Sequence, residues 1–332
     1  FFGRQLHKDL DVPIGLLHPS WGGTRIEPWT PVEGFRAVPG QEKLADRTDQ
    51  IKKNYVKATG DAVSRYRAWL SVAEAAAAAG REVPAPPAWP ATPAGNSGAP
   101  TELYNGMVAP LVPFAIRGAI WYQGESNRGE GMLYLERSKA LIGGWRSVWN
   151  QETNKDFPFL IVQLAPFNYG NAPTALPEIW EAQTACLTAI PNTGMAVITD
   201  IGNPRDIHPT NKQDVGKRLA LWALAKTYGK DIVYSGPLVK DVKFEGGKAI
   251  ISFNHVGGGL VSRDGKALSH FQLAGEDKAF AAAKAEIVGD TVVVTSETVA
   301  KPAFVRFGWD HVAEPNLSNK DGLPASPFRT DK

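Results

Sequence analysis

The sequence predicts an α/β protein built on a parallel sheet, followed by an all-β stretch. Two observations carry this expectation. Between Ile116 and Tyr228 unbroken apolar runs are separated by patterns of helical spacing, and a strand apolar on both sides needs cover on both faces, which crossover helices between parallel strands supply. Beyond Gly229 the runs become short and alternating, with Gly246-Gly247 and Gly289-Asp290 pairs between them, the pattern of a small antiparallel sandwich.

Each segment can be placed in order. Phe1 to Leu10 reads as the C-terminal end of an amphipathic helix, and Val12 to His18 as a short apolar strand entering a loop at Ser20. From about Gln41 to Gly80 the chain is rich in Lys, Ala, Glu and Arg at helical spacing, ending in the Ala75 to Ala79 run with Gly80 as a stop. Arg81 to Pro100 holds Pro84, Pro86, Pro87, Pro90, Pro93 and Pro100, a composition of extended linker. Residues 36 to 100 therefore read as an insertion, a helical hairpin or one long helix with a Pro-rich return, making a solvated excursion.

Regular alternation then follows. Strands are expected over Ile116 to Tyr122, Phe159 to Leu164 and Met195 to Asp200, with helices over Tyr134 to Trp149, Leu176 to Ala189 and Lys212 to Tyr228. This is a doubly wound order. Further strands are expected over Val239 to Phe244, Lys248 to Phe253, Ala267 to Leu273, Glu286 to Ser296 and Ala303 to Gly308. The boundary falls near residue 230, with an α/β domain over 1–230 and a β-rich accessory domain over 231–332.

Bulk properties exclude several function classes. The 36 basic and 34 acidic side chains of the 332 residues leave a formal charge of only +2, and no basic run interleaves with aromatics, so a nucleic-acid partner is not expected. Cys186 is the single cysteine. An intrachain disulfide and a Cys-based metal site are thereby excluded, and the residue reads as a small buried apolar group. No stretch approaches the roughly 18 apolar residues of a membrane span. No metal or cofactor is expected. The chain opens on Phe-Phe-Gly-Arg without Met or a signal-peptide pattern, which gives the expectation that an N-terminal segment precedes Phe1 and completes the fold.

Three polar loops follow three expected strands: Ser20-Trp-Gly-Gly-Thr24, Gln123 to Asn127, and Asp206-Ile-His-Pro-Thr-Asn-Lys212. Strand carboxyl ends are where open α/β sheets bind ligands, and the layout is that of a hydrolase site. His208, with Asp206 two residues before it and a helix just after, suits a general base for a hydroxyl nucleophile; a helix cap is the competing role. Asp206 and Glu125 are rival carboxylates for orienting the imidazole, and Glu125 could equally fix its own loop. Gly22 and Gly23 offer backbone N–H groups for a developing oxyanion, since no Cβ obstructs their approach. Gln123 and Asn127 offer side-chain amides for the same purpose. Trp21, Trp29, Trp121 and Tyr122 form either a sugar-stacking wall or core. Ser20 is a possible nucleophile, although no Gly-x-Ser-x-Gly elbow surrounds it.

Read in order, several motifs resemble the sialate O-acetylesterases and related carbohydrate acetylesterases of the SGNH (GDSL-like) hydrolases. They are Pro13 to Trp29, Leu103 to Leu111, Arg117 to Asn127, Asp200 to Lys212, and the tail Asn316 to Arg329. The resemblance covers nearly the whole chain and is loosest over 36–100. It implies a three-layer SGNH (flavodoxin-like) domain and a metal-free serine esterase acting on an acetylated carbohydrate, with His208 as base, Gly22 or Gly23 and Gln123 with Asn127 as oxyanion donors, and export to the periplasm or cell exterior. Two departures stand out. The family's Gly-Gln-Ser-Asn nucleophile motif does not occur in the sequence, so the serine is expected upstream of Phe1. Arg205 stands where the superfamily usually carries its acid, three residues before the histidine, which leaves the role to Asp206 or Glu125. The competing readings are a carbohydrate-binding relative that has lost catalysis, and an acetyltransferase using the same site.

Overall fold

The computed structural model describes residues 1–93 and 97–332, so part of the Pro-rich return, 94–96, lies outside the described residues. The helices are α1 Phe2–Leu10, α2 Val32–Ala37, α3 Glu42–Ala78, α4 Leu133–Trp149, α5 Ala175–Ala189 and α6 Lys212–Lys226. The strands are β1 Ala119–Trp121, β2 Phe159–Val162, β3 Thr193–Ala196, β4 Leu238–Glu245, β5 Lys248–Asn254, β6 Leu260–Ser262, β7 Phe271–Ala274, β8 Ala281–Ala282, β9 Lys284–Val288, β10 Thr291–Thr295, β11 Phe304–Phe307, β12 Leu317–Asn319 and β13 Phe328–Arg329. Two compact units result. One comprises Phe1–His18, Ala115–Ser138 and Gln151–Lys332, and the other Pro19–Phe114 and Lys139–Asn150.

The first unit is organised by a parallel sheet of order β1-β2-β3, with Ala119 opposite Phe159 and Phe159 opposite Thr193. Every residue of central β2 is buried. Leu160 and Val162 join Leu6 of α1 and Val215, Leu219 and Trp222 of α6 in one core; the pleat turns Phe159 and Ile161 the other way. Burial on both faces is why β2 reads as an unbroken apolar run. Helix α6 comes close because β3 carries Gly194, whose missing Cβ would lie 2.7 Å from the Trp222 ring and 2.8 Å from Leu160 Cδ2.

The β-rich stretch belongs to the same unit. Its antiparallel sheets run β4-β5-β10-β9 and β13-β11-β7-β8, with a two-stranded β12-β6 pair. The alternation read from the sequence places Ala249, Ile251, Val292 and Val294 from one sheet against Phe271, Leu273, Val305 and Phe307 from the other in a shared core. The run Glu286 to Ser296 is a hairpin, β9 and β10 joined at Gly289-Asp290. On α5, buried Glu181 accepts from Arg329 Nη2 at 2.8 Å and pairs with Lys332 at 3.4 Å, fastening the end of the chain.

In the second unit α3 covers the helical stretch read over Gln41 to Gly80, as one long helix. Tyr66 stands edge-on to Trp69 and Trp89, with centroids 6.1 and 5.5 Å away, and Trp69 Nε1 donates to Pro84 O at 2.8 Å, so the return folds back along the helix. A Cβ on Gly34 of α2 would lie 2.0 Å from Ala140 O, which requires glycine where α2 meets α4. Trp145 Nε1 donates to Trp29 O and Trp149 Nε1 to Phe114 O, both at 2.9 Å.

Besides the hairpin that divides Glu286 to Ser296 and the later start of β7, at Phe271 instead of Ala267, further expected bounds need correction. Val12 to His18 is not a strand: it has no sheet pairing, and Leu16 and Leu17 are 65% and 48% exposed, since an apolar run becomes a strand only beside another edge. Strand β1 is shorter than Ile116 to Tyr122, because Ile116 N–H donates to Gln151 Oε1 and the carbonyls of Ile116 and Arg117 accept from Asn154. Strand β3 ends before Asp200, because Val197 O accepts from Arg218. Gly194→Ala is expected to destabilise the protein by about 1–3 kcal/mol, the usual cost of overpacking, read as a lowered urea midpoint at constant slope.

Candidate functional site

Parallel strands deliver their carboxyl ends to one rim, so the loops after β1, β2 and β3 leave the sheet on the same side. Glu125 is where they converge. It opens a 3-10 turn, Glu125–Asn127, after Gly124 at φ 149°, a conformation that glycine alone takes readily, and a Cβ there would stand 3.0 Å from Leu164 Cδ1. Burial pushes the Glu125 carboxyl above the usual carboxylate range, opposed by its own N–H and that of Gly124, then by His208 and Lys212. Tyr122, before Glu125, and Tyr169, after β2, are pushed up by burial and then by the Glu125 charge, Tyr169 to about 12. The Arg128 guanidinium lies 4.3 Å from the Tyr169 ring centroid and opposes that rise.

Gln123 and Asn127 sit within a buried network. Gln123 Nε2 donates to Asn127 Oδ1 at 2.8 Å, and Asn127 Nδ2 donates to Glu130 Oε2 at 3.1 Å. Arg137 grips Glu130 with two bonds of 2.7 and 3.1 Å, and Tyr134 Oη donates to Gln123 Oε1 at 2.9 Å. Both amides thus hold the loop in shape, whatever else they reach.

The third loop carries the imidazole. Asp206 Oδ1 accepts from His208 N–H at 2.9 Å, a turn that brings the side chains to one side, with His208 Nδ1 3.8 Å from Asp206 Oδ1. That separation is an ion-pair distance and exceeds a hydrogen bond. The His208 side chain is 89% exposed, open to an incoming group. A polar cavity of about 440 Å³ lies beside it, lined by Asn203, Arg205, Asp206, His208, Thr210 and Glu314 among others. Helix α6 starts just beyond: Asn211 Oδ1 accepts from Asp214 N–H at 3.1 Å while Asn211 Nδ2 donates back to Asp214 Oδ2 at 2.8 Å, a reciprocal N-cap. The base of the loop is clamped by Arg218, which donates to both Asp200 oxygens at 2.6 and 2.7 Å and to Val197 O at 2.7 Å.

The Gly-Gly turn belongs to the second unit. Its backbone reverses at Gly23, φ 73°, and space around the missing Cβ of both Gly22 and Gly23 is open to 4 Å. Thr24 Oγ1 donates to Trp21 O at 2.8 Å and accepts from Trp29 Nε1 at 2.9 Å, which leaves Trp29 buried and the Trp21 indole 57% exposed. Ser20, just before it, is exposed.

Curated proteins similar to this chain agree on one name. Rat sialate O-acetylesterase is 35% identical over 259 residues, 73% of this chain, and the human sialate O-acetylesterase 31% over 273 residues, 76% of it. The chain belongs to the sialate O-acetylesterase family. It spans about half the length of those relatives, 45% of the rat and 43% of the human protein. A crystal structure of a carbohydrate acetylesterase from Xanthomonas citri superposes with a TM-score of 0.77 at 37% identity, covering 100% of this chain and 64% of that one. No protein-family model matches the sequence.

Of the candidate residues legible in the sequence, His208, Asp206, Glu125, Gln123 and Asn127 all lie in loops of the first unit, and Gly22, Gly23 and Trp21 lie in the second. Tyr169, Arg128 and Lys212 were not assigned roles. Tyr169 follows a strand end, a signal that could have found it; nothing local marks the partnership of Arg218 with Asp200, 18 residues apart. Both side chains of that pair are about one-tenth exposed. Arg218→Met leaves a nearly buried carboxylate uncompensated, and a loss of about 3–5 kcal/mol of stability is expected, measured by chemical denaturation, with Asp200→Asn/Arg218→Met recovering part of it.

Proposed function

We propose that the protein carrying this chain is a serine-type carbohydrate O-acetylesterase. The observation that carries the reading is the His208–Asp206 pair, 3.8 Å apart, lining a polar cavity at the carboxyl rim of the parallel sheet, with Glu125 within electrostatic reach of His208. In this mechanism His208 takes the proton of a serine hydroxyl as it attacks the acetyl carbonyl, then returns that proton to the departing sugar oxygen. Water, deprotonated by the same imidazole, releases acetate from the serine. Asp206 and Glu125 are both read as carboxylates that stabilise the imidazolium: Asp206 Oδ1 lies 3.8 Å from His208 Nδ1, and the partly buried Glu125 interacts electrostatically with His208. In the first unit Gln123 and Asn127 are read as oxyanion donors; in the second, Gly22 and Gly23 are read as offering backbone N–H groups for the same chemistry and the exposed Trp21 as an apolar plane for a sugar ring.

The sialate O-acetylesterase relatives and the similar carbohydrate acetylesterase support this reading. With it go an SGNH three-layer arrangement for the α/β portion, 1–230, a β-rich accessory portion over 231–332, and a place outside the cytoplasm. No helix among the described residues is long and apolar enough to cross a membrane. The test is acetate release from an aryl acetate and from O-acetylated sugars. His208→Ala in the protein that carries these residues should lower kcat/KM by about 10²–10⁴-fold, the usual worth of a general base, with little change in stability because the ring is exposed. Undiminished release by His208→Ala would overturn the assignment.

A further inference from the structure

Lys212 occupies the first turn of α6, where the aligned peptide dipoles present positive charge and disfavour a cation. The helix start is already served by Asn211 and Asp214, so helix formation gives no reason for an ammonium group at this position. Its side chain is solvent-accessible, yet its head group is engaged. Lys212 Nζ folds back to donate to the carbonyl of Pro209, the residue after His208, and lies 5.4 Å from the centroid of the Tyr122 ring. One side chain thus bridges the loop after β3 and the loop after β1.

We propose that Lys212 is a positioning residue of this site: its ammonium tethers the backbone that carries His208 and sets a positive charge beside Glu125. The inference rests on the reading of His208 and Glu125 as site residues. It is supported by the charges around them. Burial lowers the Lys212 pKa, and Glu125 and then Asp206 act against that fall; Lys212 in turn is one of the groups that draw the Glu125 pKa down. The groups facing Glu125 are His208 and Lys212 from the third loop and α6, Tyr122 from its own loop, Tyr169 from the loop after β2, and Tyr134 from α4. Arg128 holds the Glu125 carbonyl at 3.2 Å. Lys212 reaches both candidate acids and the backbone of the His208 loop, so it can couple the geometry of that loop to the charge of the Glu125 carboxyl.

The test is a carbon-13 NMR titration of the Glu125 carboxyl in the whole protein, with Glu125→Gln to assign the signal. In Lys212→Met the Glu125 midpoint should move to higher pH, since a neighbouring positive charge has been removed, and the amide signals of Ile207, His208 and Thr210 should shift. Lys212→Arg keeps the charge and should stay close to the parent on the Glu125 midpoint. A Lys212→Met protein with the parent midpoint and parent 207–210 amides would overturn the proposal, as would a Lys212→Arg midpoint displaced as far as that of Lys212→Met. Circular dichroism of each variant separates these outcomes from unfolding. Because the titration needs no turnover, the tether can fail while the esterase reading stands, and the esterase reading can fail by His208→Ala while the tether stands.

Discussion

Parallel pairing of three short strands is the constraint on which the first unit depends. It forces every connection to return across a face of the sheet, covers both faces with apolar side chains, and leaves the strand carboxyl ends at one rim. The core of Leu160, Val162, Leu219 and Trp222 therefore does more than hold the sheet. It fixes where three loops must emerge, and those loops carry the candidate residues Glu125, Tyr169 and His208.

At the rim, charge is arranged by burial as much as by partners. Glu125 is held against its desolvation by backbone N–H groups and by its neighbours His208 and Lys212, while Tyr122 and Tyr169 resist ionisation around it. Such a carboxylate is costly to place unless its surroundings favour the charged form, and sites of this kind are enriched in function. The loop that holds it is stiffened by the chain Arg137, Glu130, Asn127, Gln123 and Tyr134. The His208 side chain, on the third loop, is by contrast exposed.

Membership of the sialate O-acetylesterase family gives these observations a common context. The β-rich stretch, fastened to α5 through Glu181, Arg329 and Lys332, also reaches the candidate cavity through Glu314. His311 contributes in a second way: its carbonyl accepts from Phe167 N–H at 2.8 Å and its Nδ1 from Tyr169 N–H at 3.3 Å. The sandwich thus helps to shape the loop after β2.

The sequence by itself determined the elements whose cause is local. The unbroken apolar runs around Ile161 and Met195, the helical spacing from Gln41 to Gly80, the alternation of β5 and β10, and the polar clusters at 123–127 and 206–212 all follow from side-chain periodicity and turn chemistry within a few residues. Tertiary structure alone decided the rest. Val12 to His18 has the composition of a strand but no edge to pair with, β1 begins only beyond the carbonyls that Asn154 takes, β3 stops where Arg218 takes the carbonyl of Val197, and β6, β8, β12 and β13 are too short to show a period. The partnership of Glu125 with Tyr169 and Lys212, and of Asp200 with Arg218, joins residues distant in the chain. Electrostatic and hydrogen-bonded partners are chosen by proximity in space, and periodicity carries no record of it.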